Sequence, residues 1–300
     1  SGENEPATAI GAEAAALAQR SDALLFHDAL ADVNDAFLFS EFAARAGGHG
    51  LRYLAEADLR DLRTDAWPPD VRDALPSAGD VLRREQFLDY LKLRRFRQTL
   101  LCRAECQPVP LPAAARIASL SVASYARPVV ADDERPELMT FEVPGGARIS
   151  TDDERVVAAL VRLSHAWPAA VHVAELLGDE PDPEARGALC DALLHGAIRG
   201  IVWPHAHPPA LTTHAGERPC ASALARLQAR AGEPVATLRH NSIRIGDELD
   251  RRVLALLDGT RDRAALCAQL DGFGGLSGDE LAERVEAVLE RIAGAALLTA

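Results

Sequence analysis

The feature that most constrains the fold is an internal repeat, in which the segment that starts at Arg148 recurs about 96 residues later at Arg244. Both copies begin with a short apolar strand pattern that leads into an amphipathic helix pattern. Each copy continues with a short second helix, a longer third helix and a closing apolar stretch. These parts are residues 173–177, 184–199 and 200–203 in the first copy and 263–270, 278–292 and 295–298 in the second.

A strand, three helices and a returning strand is the order of a winged-helix unit, in which the helices stack on a small sheet. The repeat therefore predicts two winged-helix-like units, over residues 111–215 and 216–300. In the first unit, residues 211–213 are expected to supply a wing strand. In the second, a short helix is predicted over 221–231 and an extended segment over 235–245.

The N-terminal third predicts a helical domain over residues 22–110, preceded by an extension over 1–21. Its helix patterns are residues 9–30, 35–47, a start at Trp67-Pro68-Pro69, and 84–103, which has the most regular spacing of the four. Glycines at 47–50 end the second helix and lead to a short apolar piece. Three prolines within residues 107–112 predict a linker to the repeat. The predicted fold class is mainly α with small sheets (α+β), a helical N-terminal domain followed by the two winged-helix-like units.

Charge and cysteine usage exclude several classes of function. The net charge is −13, so the chain as a whole repels phosphate backbones and anionic membrane surfaces. Apolar runs are shorter than the roughly 18 residues of a spanning helix. The five cysteines are scattered and no signal-peptide pattern precedes them, which predicts a cytoplasmic protein. Neither a nucleic-acid partner nor a membrane is expected.

The sequence lacks the glycine-rich turn by which a class I methyltransferase approaches its cofactor, and the P-loop, nucleophile-elbow and zinc-protease patterns are absent as well. Gly145-Gly146 and the glycines of residues 271–275 are interpreted as loops. His205, His207 and His214 suggest either a metal site or an exposed proline-rich loop, and the loop is favoured because carboxylates and cysteines at ligand spacing are missing.

Three polar groupings in the N-terminal third have two interpretations each. Cys102 and Cys106 are interpreted either as small apolar side chains at a helix end or as a pair that binds a metal or undergoes redox chemistry. His27 and its neighbouring carboxylates are a general base or a capping network, in which Asp32 or Asn34 caps the helix that follows. The third grouping is a run of basic residues. It is interpreted either as an exposed helix face or as a docking surface for an acidic partner or another domain. Its members are Arg83, Arg84, Lys92, Arg94, Arg95, Arg97 and Arg103.

Motifs across the N-terminal third resemble a known family. They are Phe26-His27-Asp28, Val33-Asn34-Asp35-Ala36-Phe37-Leu38-Phe39, Glu41-Phe42-Ala43-Ala44-Arg45-Ala46, His49-Gly50-Leu51-Arg52-Tyr53-Leu54, Glu85-Gln86-Phe87-Leu88-Asp89-Tyr90-Leu91 and Arg94-Arg95-Phe96-Arg97-Gln98-Thr99-Leu100-Leu101-Cys102. This stretch resembles the predicted methyltransferase regulatory domain. Residues 218–228, 238–240 and 256–262 are similar to the C-terminal region of bacterial proteins in which that domain follows a methyltransferase domain, an arrangement that rickettsial protein lysine methyltransferases share.

The resemblance implies a bacterial S-adenosylmethionine-dependent methyltransferase whose Rossmann-like catalytic domain lies upstream, with residues 1–21 as the connection to it. This chain is then a non-catalytic regulatory and substrate-recognition region. No cofactor is expected on it, S-adenosylmethionine is implied for the catalytic domain, and no catalytic, cofactor-binding or metal residue carries over. The implied partners are the chain's own methyltransferase domain and a protein substrate. The candidate docking residues are Asn34, Phe37, Phe39, His49, Tyr53, Arg94, Arg95, Phe96 and Arg97.

Two other classes of function stay open at this point. Paired winged helices also occur in DNA-binding regulators, although the third helices offer few basic residues, Arg186 and Arg199 in the first copy and Arg284 and Arg291 in the second. A winged-helix unit can equally serve protein interaction. The other class is an independent enzyme that uses the histidine and carboxylates near residue 27.

Overall fold

The computed structural model describes residues 5–20, 22, 25–63, 67–107, 109, 112–129, 138–232 and 234–300. The chain divides into two compact units. The first unit comprises Ser1–Glu56 and Trp67–Pro108, and the second comprises Ala57–Ala66 and Val109–Ala300. Helices predominate and the sheets are small and antiparallel, which confirms the predicted fold class.

In the described residues of the first unit there are four α-helices and one two-stranded sheet. They are α1 Glu5–Ala18, α2 Phe39–Gly48, β1 Leu51–Glu56, α3 Pro69–Ala74, α4 Val81–Lys92 and β2 Thr99–Arg103, with a π-helical turn at Leu25–Ala29 and a 3-10 turn at Leu75–Ala78. Strands β1 and β2 pair antiparallel, with a bulge between Tyr53 and Ala55. The small core of this unit includes Phe39, Ala46, Leu75 and Leu88.

The single helix predicted over residues 84–103 is wrong. Helix α4 ends at Lys92, and the two amides that follow it bond back to the carbonyls of Tyr90 and Asp89, closing the helix with Leu93 in the left-handed region at φ 48°. The chain then returns as strand β2 on β1. The helical spacing of the apolar residues continues across this break, so that local periodicity could not reveal it.

The predicted capping of the second helix is also wrong. Helix α2 begins four residues later than expected, at Phe39, so that neither Asp32 nor Asn34 is at its start. The Leu38 amide donates instead to the Glu41 carboxylate at 3.2 Å, which satisfies a backbone donor that the first turn of a helix leaves free.

The first half of the second unit combines three helices with two three-stranded sheets. Its elements are β3 Ser121–Ala123, β4 Arg127–Val129, β5 Met139–Glu142, β6 Arg148–Thr151, α5 Glu154–Ala166, β7 Val171–His172, α6 Val173–Leu177, α7 Pro183–Ile198 and β8 Trp203–His205. The sheet orders are β7-β3-β8 and β4-β5-β6. Helix α5 buries Val156, Leu160 and Leu163, one face at helical spacing, because its polar residues occupy the other.

The second half contains one further helix, the three helices that correspond to those of the first half, and fewer strands. Its elements are α8 Ala223–Ala231, β9 Val235–Ala236, β10 Ser242–Ile243, α9 Glu248–Leu256, α10 Arg263–Leu270 and α11 Gly278–Gly294. Asp247 and Asp262 cap α9 and α10 by accepting backbone N–H groups. The segment predicted as extended over 235–245 is a β9–β10 hairpin instead, because the chain reverses at residues 237–241.

The predicted wing strand at residues 211–213 does not form. The Thr212 amide donates to the Leu298 carbonyl at 3.1 Å, but the segment joins no sheet. The place beside β8 is taken by β3, which precedes the three helices in the sequence and pairs with both β7 and β8. The boundaries predicted for the two winged-helix-like units stay a prediction. Across the described part of the chain, every helix is too short or too polar to cross a membrane.

Candidate functional site

The first unit contains a groove of about 460 Å³ that collects most of the predicted docking residues. The segment before α2 and the segment between α4 and β2 form its walls. The predicted residues that line it are Asn34, Phe37, Phe39, Arg94, Arg95, Phe96 and Arg97. His49 lies outside the groove, exposed at the end of α2, and Tyr53 lies half-buried on β1. That these residues bind a partner is still a prediction.

An ion-pair network forms the floor of the groove. The Arg97 guanidinium donates to the Asp89 carboxylate at 2.9 Å and 3.0 Å, to a Glu56 oxygen at 2.5 Å, and to the carbonyl and carboxylate of Glu85 at 2.9 Å and 3.2 Å. Arg94 lies 3.3 Å from Asp89. The side chains of Arg94, Arg97 and Glu56 are only 9%, 13% and 5% exposed. Charges buried to this degree are compatible with folding because they are paired.

The prediction that the basic run forms an exposed helix face holds for Arg83 and Arg84, which lie exposed on helix α4, but not for the residues that follow it. Arg94 and Arg97 follow helix α4 rather than belong to it, and their charges point into the network of carboxylates. Sequence reasoning missed Glu56, Glu85 and Asp89. Arg94 and Arg97 are therefore neutralised inside the unit, whereas Arg83, Arg84, Arg95 and Arg103 lie exposed, and docking of an acidic partner to this run stays a prediction.

Aromatic rings complete the groove. The Arg97 guanidinium lies 3.8 Å from the ring centre of buried Phe39, and the Phe39 ring packs edge-on against Tyr53 at 5.1 Å. On the rim, Arg45 covers the Phe37 ring at 4.2 Å. Phe96 is 69% exposed. The groove thus presents aromatic surface above a rigid, charge-paired floor.

The environment of Tyr53 reflects this floor. Burial raises the pKa of the Tyr53 phenol far above its ordinary value, and the nearby carboxylates of Glu85 and Glu56 raise it further, whereas Arg97 opposes them. Tyr53 is therefore a neutral phenol throughout the physiological pH range. It acts here as a packing and hydrogen-bonding group.

The first unit also exposes a large amount of apolar surface. Of the 19 large hydrophobic residues described as exposed, 15 lie within the first 100 residues. Three of them, Phe87, Tyr90 and Leu91, line a second groove of about 670 Å³ between α3 and α4. Large exposed apolar patches are uncommon on soluble monomers and often have a binding role.

The other candidate groups are dispersed. His205 lies on β8 beside Arg239, at 3.1 Å, while His207 is exposed. Cys102 lies on strand β2 and Cys106 in the turn after it, both as free thiols, so the expected helix end is wrong for this pair. His27 is exposed on the π-helical turn. Within the described ranges, histidine, cysteine and carboxylate side chains do not gather in groups of three that could hold a metal ion.

Two family models match this chain, one in its N-terminal third and one in its C-terminal third. Residues 21–103 match the model for the predicted methyltransferase regulatory domain, and residues 217–273 match that for the PKMT C-terminal winged helix domain. The resemblance found in the sequence is thereby confirmed, and the chain contains these two domains. The groove and its ion-pair network lie within the first match.

Individual proteins are also similar to this chain. The uncharacterized protein RP789 of Rickettsia prowazekii (strain Madrid E) is 40% identical over 96 residues, which make up 32% of this chain and 17% of that protein. The structure of PKMT2 from Rickettsia typhi in complex with AdoHcy matches 96% of this chain and 63% of that one, with a TM-score of 0.78 and 18% identity. A second structure of PKMT2 from Rickettsia typhi matches 98% and 64%, with a TM-score of 0.79 and 18% identity.

These matches establish how far the likeness extends. The chain spans less than a fifth of the curated relative and slightly under two thirds of the solved structures. At 18% identity, the structural likeness shows a shared fold over nearly the whole of this chain.

Proposed function

We propose that this chain is the regulatory and substrate-recognition region of a bacterial S-adenosylmethionine-dependent methyltransferase. Cofactor binding and methyl transfer take place in a separate methyltransferase domain, and the described residues of this chain position that domain and a protein substrate. The observation that carries the proposal is the joint presence of a methyltransferase regulatory domain at 21–103 and a PKMT winged helix domain at 217–273 in one chain.

The exposed apolar surface of the first unit supports a macromolecular partner. Phe87, Tyr90 and Phe96 are 51%, 56% and 69% exposed. Aromatic side chains that supply large contact area at low entropic cost are enriched at the centres of protein interfaces. We assign this surface to the methyltransferase domain, because permanent interfaces are more apolar than transient ones.

The winged-helix part favours protein contact over DNA. A recognition helix that enters the major groove presents Arg, Lys and polar groups to phosphates and base edges. In α11 the two arginines are engaged, Arg291 with Asp250 at 2.6 Å and Arg284 with Asp247 at 3.9 Å, and the helix is otherwise acidic. Such a surface repels a phosphate backbone.

The first experiment measures association. The chain is titrated by calorimetry with the methyltransferase domain encoded in the same reading frame, expressed separately. We expect a stable complex, and we expect the double variant Phe87→Ser, Phe96→Ser to weaken it at least tenfold, since buried aromatic contacts each contribute about 1 kcal/mol or more. The matched control is Leu224→Ser, Leu227→Ser, which removes two side chains that are 53% and 64% exposed in the second unit.

The second experiment measures catalysis by supplying labelled S-adenosylmethionine. We expect cofactor binding by the methyltransferase domain and none by this chain alone, and a change in turnover or substrate choice when the two are combined. The proposal fails if the chain neither associates with the domain nor alters its activity. A self-associated chain in light scattering, with the Phe87 and Phe96 variant monomeric, would instead assign the apolar surface to a second copy.

A further inference from the structure

The second unit contains two separate hydrophobic cores. One is built from residues between 117 and 202 and the other from residues between 221 and 298, and their buried members do not overlap. Polar and aromatic side chains bridge the two. The indole N–H of Trp167 donates to the Gly294 carbonyl at the end of α11, at 3.0 Å. The second bridge is Arg239, in the turn between β9 and β10.

Arg239 is seated between three groups of the other core. Its Nη1 donates to the Pro168 carbonyl at 3.0 Å, its Nη2 lies 3.1 Å from Nε2 of His205, and its guanidinium carbon lies 4.5 Å from the centre of the Trp167 ring. The turn that presents it is itself fixed, because the Leu238 amide donates to the Ala296 carbonyl at 2.9 Å. The arginine is thus held at a defined position.

The aromatic side of this seat is closely packed. Tyr125 stacks on Trp203 with ring centres 4.7 Å apart and planes 10° from parallel, and it contacts Trp167 at 4.8 Å. The rings touch one another, so this cluster offers no slot for a ligand between their faces. Arg239 lies over the Trp167 ring of this cluster.

The hydrogen bond between Arg239 and His205 fixes the state of the imidazole. A guanidinium has donors only, so Nε2 of His205 must be the acceptor and its ring must be neutral, with the proton on Nδ1. Protonation at Nε2 would set two donors and two positive charges about 3 Å apart. Arg239 cannot lose its charge to relieve this conflict at neutral pH, since arginine stays protonated in proteins.

We propose that Arg239, Trp167 and His205 form a pH-sensitive joint between the two cores of the second unit, in which protonation of His205 expels the Arg239 guanidinium and loosens the contact. This proposal is independent of the proposed methyltransferase role. It concerns only how the two winged-helix-like halves hold each other.

The groups around the pair favour this behaviour. The ionisable side chains on the adjoining elements include Tyr125, His172, His207 and His240, His165 in the last turn of α5, and Glu290 and Arg291 near the end of α11. His172 lies across β3 from His205, both opposite Ser121, and its Nδ1 accepts the Ala174 amide. A carboxylate that could compensate a positive imidazole is not among the groups acting on either partner in the described residues.

The expected direction follows from linkage. Burial, and then the charge of Arg239, hold the pKa of His205 below its ordinary value of 6.5. The unfolded or opened chain therefore binds the proton more readily than the closed joint does. The closed joint is complete above pH 6.5 and is lost as the pH falls from there toward the lower pKa of the folded state.

Tryptophan fluorescence tests the joint in the full chain. Of the three tryptophans, Trp167 and Trp203 lie in the joint, so the variant Trp67→Phe restricts emission to it. Between about pH 8 and about pH 5 we expect a red shift with a midpoint below 6.5. His205→Gln, which keeps an acceptor for Arg239 but does not titrate, should abolish the transition. The control His207→Gln, an exposed histidine two residues away, should retain it.

A second measurement follows the imidazoles directly by NMR. The resonance that disappears in His205→Gln should titrate below pH 6.5, and Arg239→Gln should move its midpoint upward, because the repelling charge is removed. A fluorescence transition that persists in His205→Gln would overturn the proposal. So would a His205 midpoint that Arg239→Gln leaves unchanged.

Discussion

Removing the Arg97 guanidinium tests whether the network beneath the groove holds the first unit together. The change Arg97→Met keeps much of the aliphatic volume and deletes the charge. It removes the charged partner of Glu56, whose side chain is 5% exposed and keeps the hydrogen bond from the Thr99 hydroxyl, and one of the two arginines that contact Glu85 and Asp89. It also removes the cation that lies 3.8 Å from the ring centre of Phe39.

The expected cost comes mainly from the carboxylate left behind. Breaking a buried pair by deleting one partner typically costs about 3–5 kcal/mol, because the remaining charge is desolvated without compensation. Total stabilities of domains are about 5–15 kcal/mol, so this change alone places the first unit near its unfolding threshold. An exposed pair offers the contrast. Arg148 is 60% exposed beside Glu142, and Arg148→Met should cost about 0–1 kcal/mol.

Hydrogen exchange with peptide-level mass spectrometry measures the stability loss in both Arg97→Met and Arg148→Met, because a global unfolding curve would mix the two units. Amides of β1 and β2 should exchange about 100-fold to about 4000-fold faster in Arg97→Met, as each 1.4 kcal/mol is a factor of about ten. Adding Glu56→Gln to Arg97→Met should recover part of the loss, because the uncompensated charge is gone. The reasoning is refuted if Arg97→Met costs no more than Arg148→Met, or if the second change makes exchange faster still.

Three further predictions concern packing and ionisation. Gly196→Ala should destabilise the second unit by about 1–3 kcal/mol, measured by hydrogen exchange of its helices, since its Cβ would lie 2.8 Å from a valine methyl carbon. Gly187→Ala on the same helix meets nothing within 4 Å and should stabilise the unit slightly. The raised pKa of Tyr53 means that an ultraviolet titration should find a phenol that ionises well above the ordinary tyrosine value of 10.0 and is lost in Tyr53→Phe, with stability decreasing as the pH rises above 10.0. Cys190, buried and with its pKa raised by burial, should react with iodoacetamide much more slowly than exposed Cys106; equal rates would contradict its burial.

The helices of the second unit could be predicted closely from sequence because local signals define them. The predicted bounds 173–177 and 263–270 are those of α6 and α10. The side chains of His172 and Asp262 cap these two helices by accepting a backbone N–H of the first turn, and both helices bury apolar residues at helical spacing. Caps and periodicity act within a few residues, so a single sequence contains them.

The groove could be predicted only in part, because the residues of its walls belong to local motifs whereas the ion pairs of its floor join residues far apart in the sequence. Asn34 and Phe37 were found through local motifs, and they do line it. The carboxylates that neutralise Arg97 are 41, 12 and 8 residues away along the chain, at Glu56, Glu85 and Asp89. A run of basic residues read alone therefore looked like an exposed surface. Its partners become visible only once β2 is known to return onto β1.

The same distinction explains why the two copies of the repeat share helices but differ in their sheets. In the first copy the central strand of the sheet is β3, from outside the repeat, paired on one side with β7 and on the other with β8. The second copy is preceded by a short β9–β10 hairpin, and at its closing stretch a bridge joins Leu298 to Ala221. Helices satisfy their backbone groups internally, whereas a strand needs a neighbour. A repeat in sequence can therefore specify the helices twice, while each sheet depends on whatever strand the flanking chain supplies.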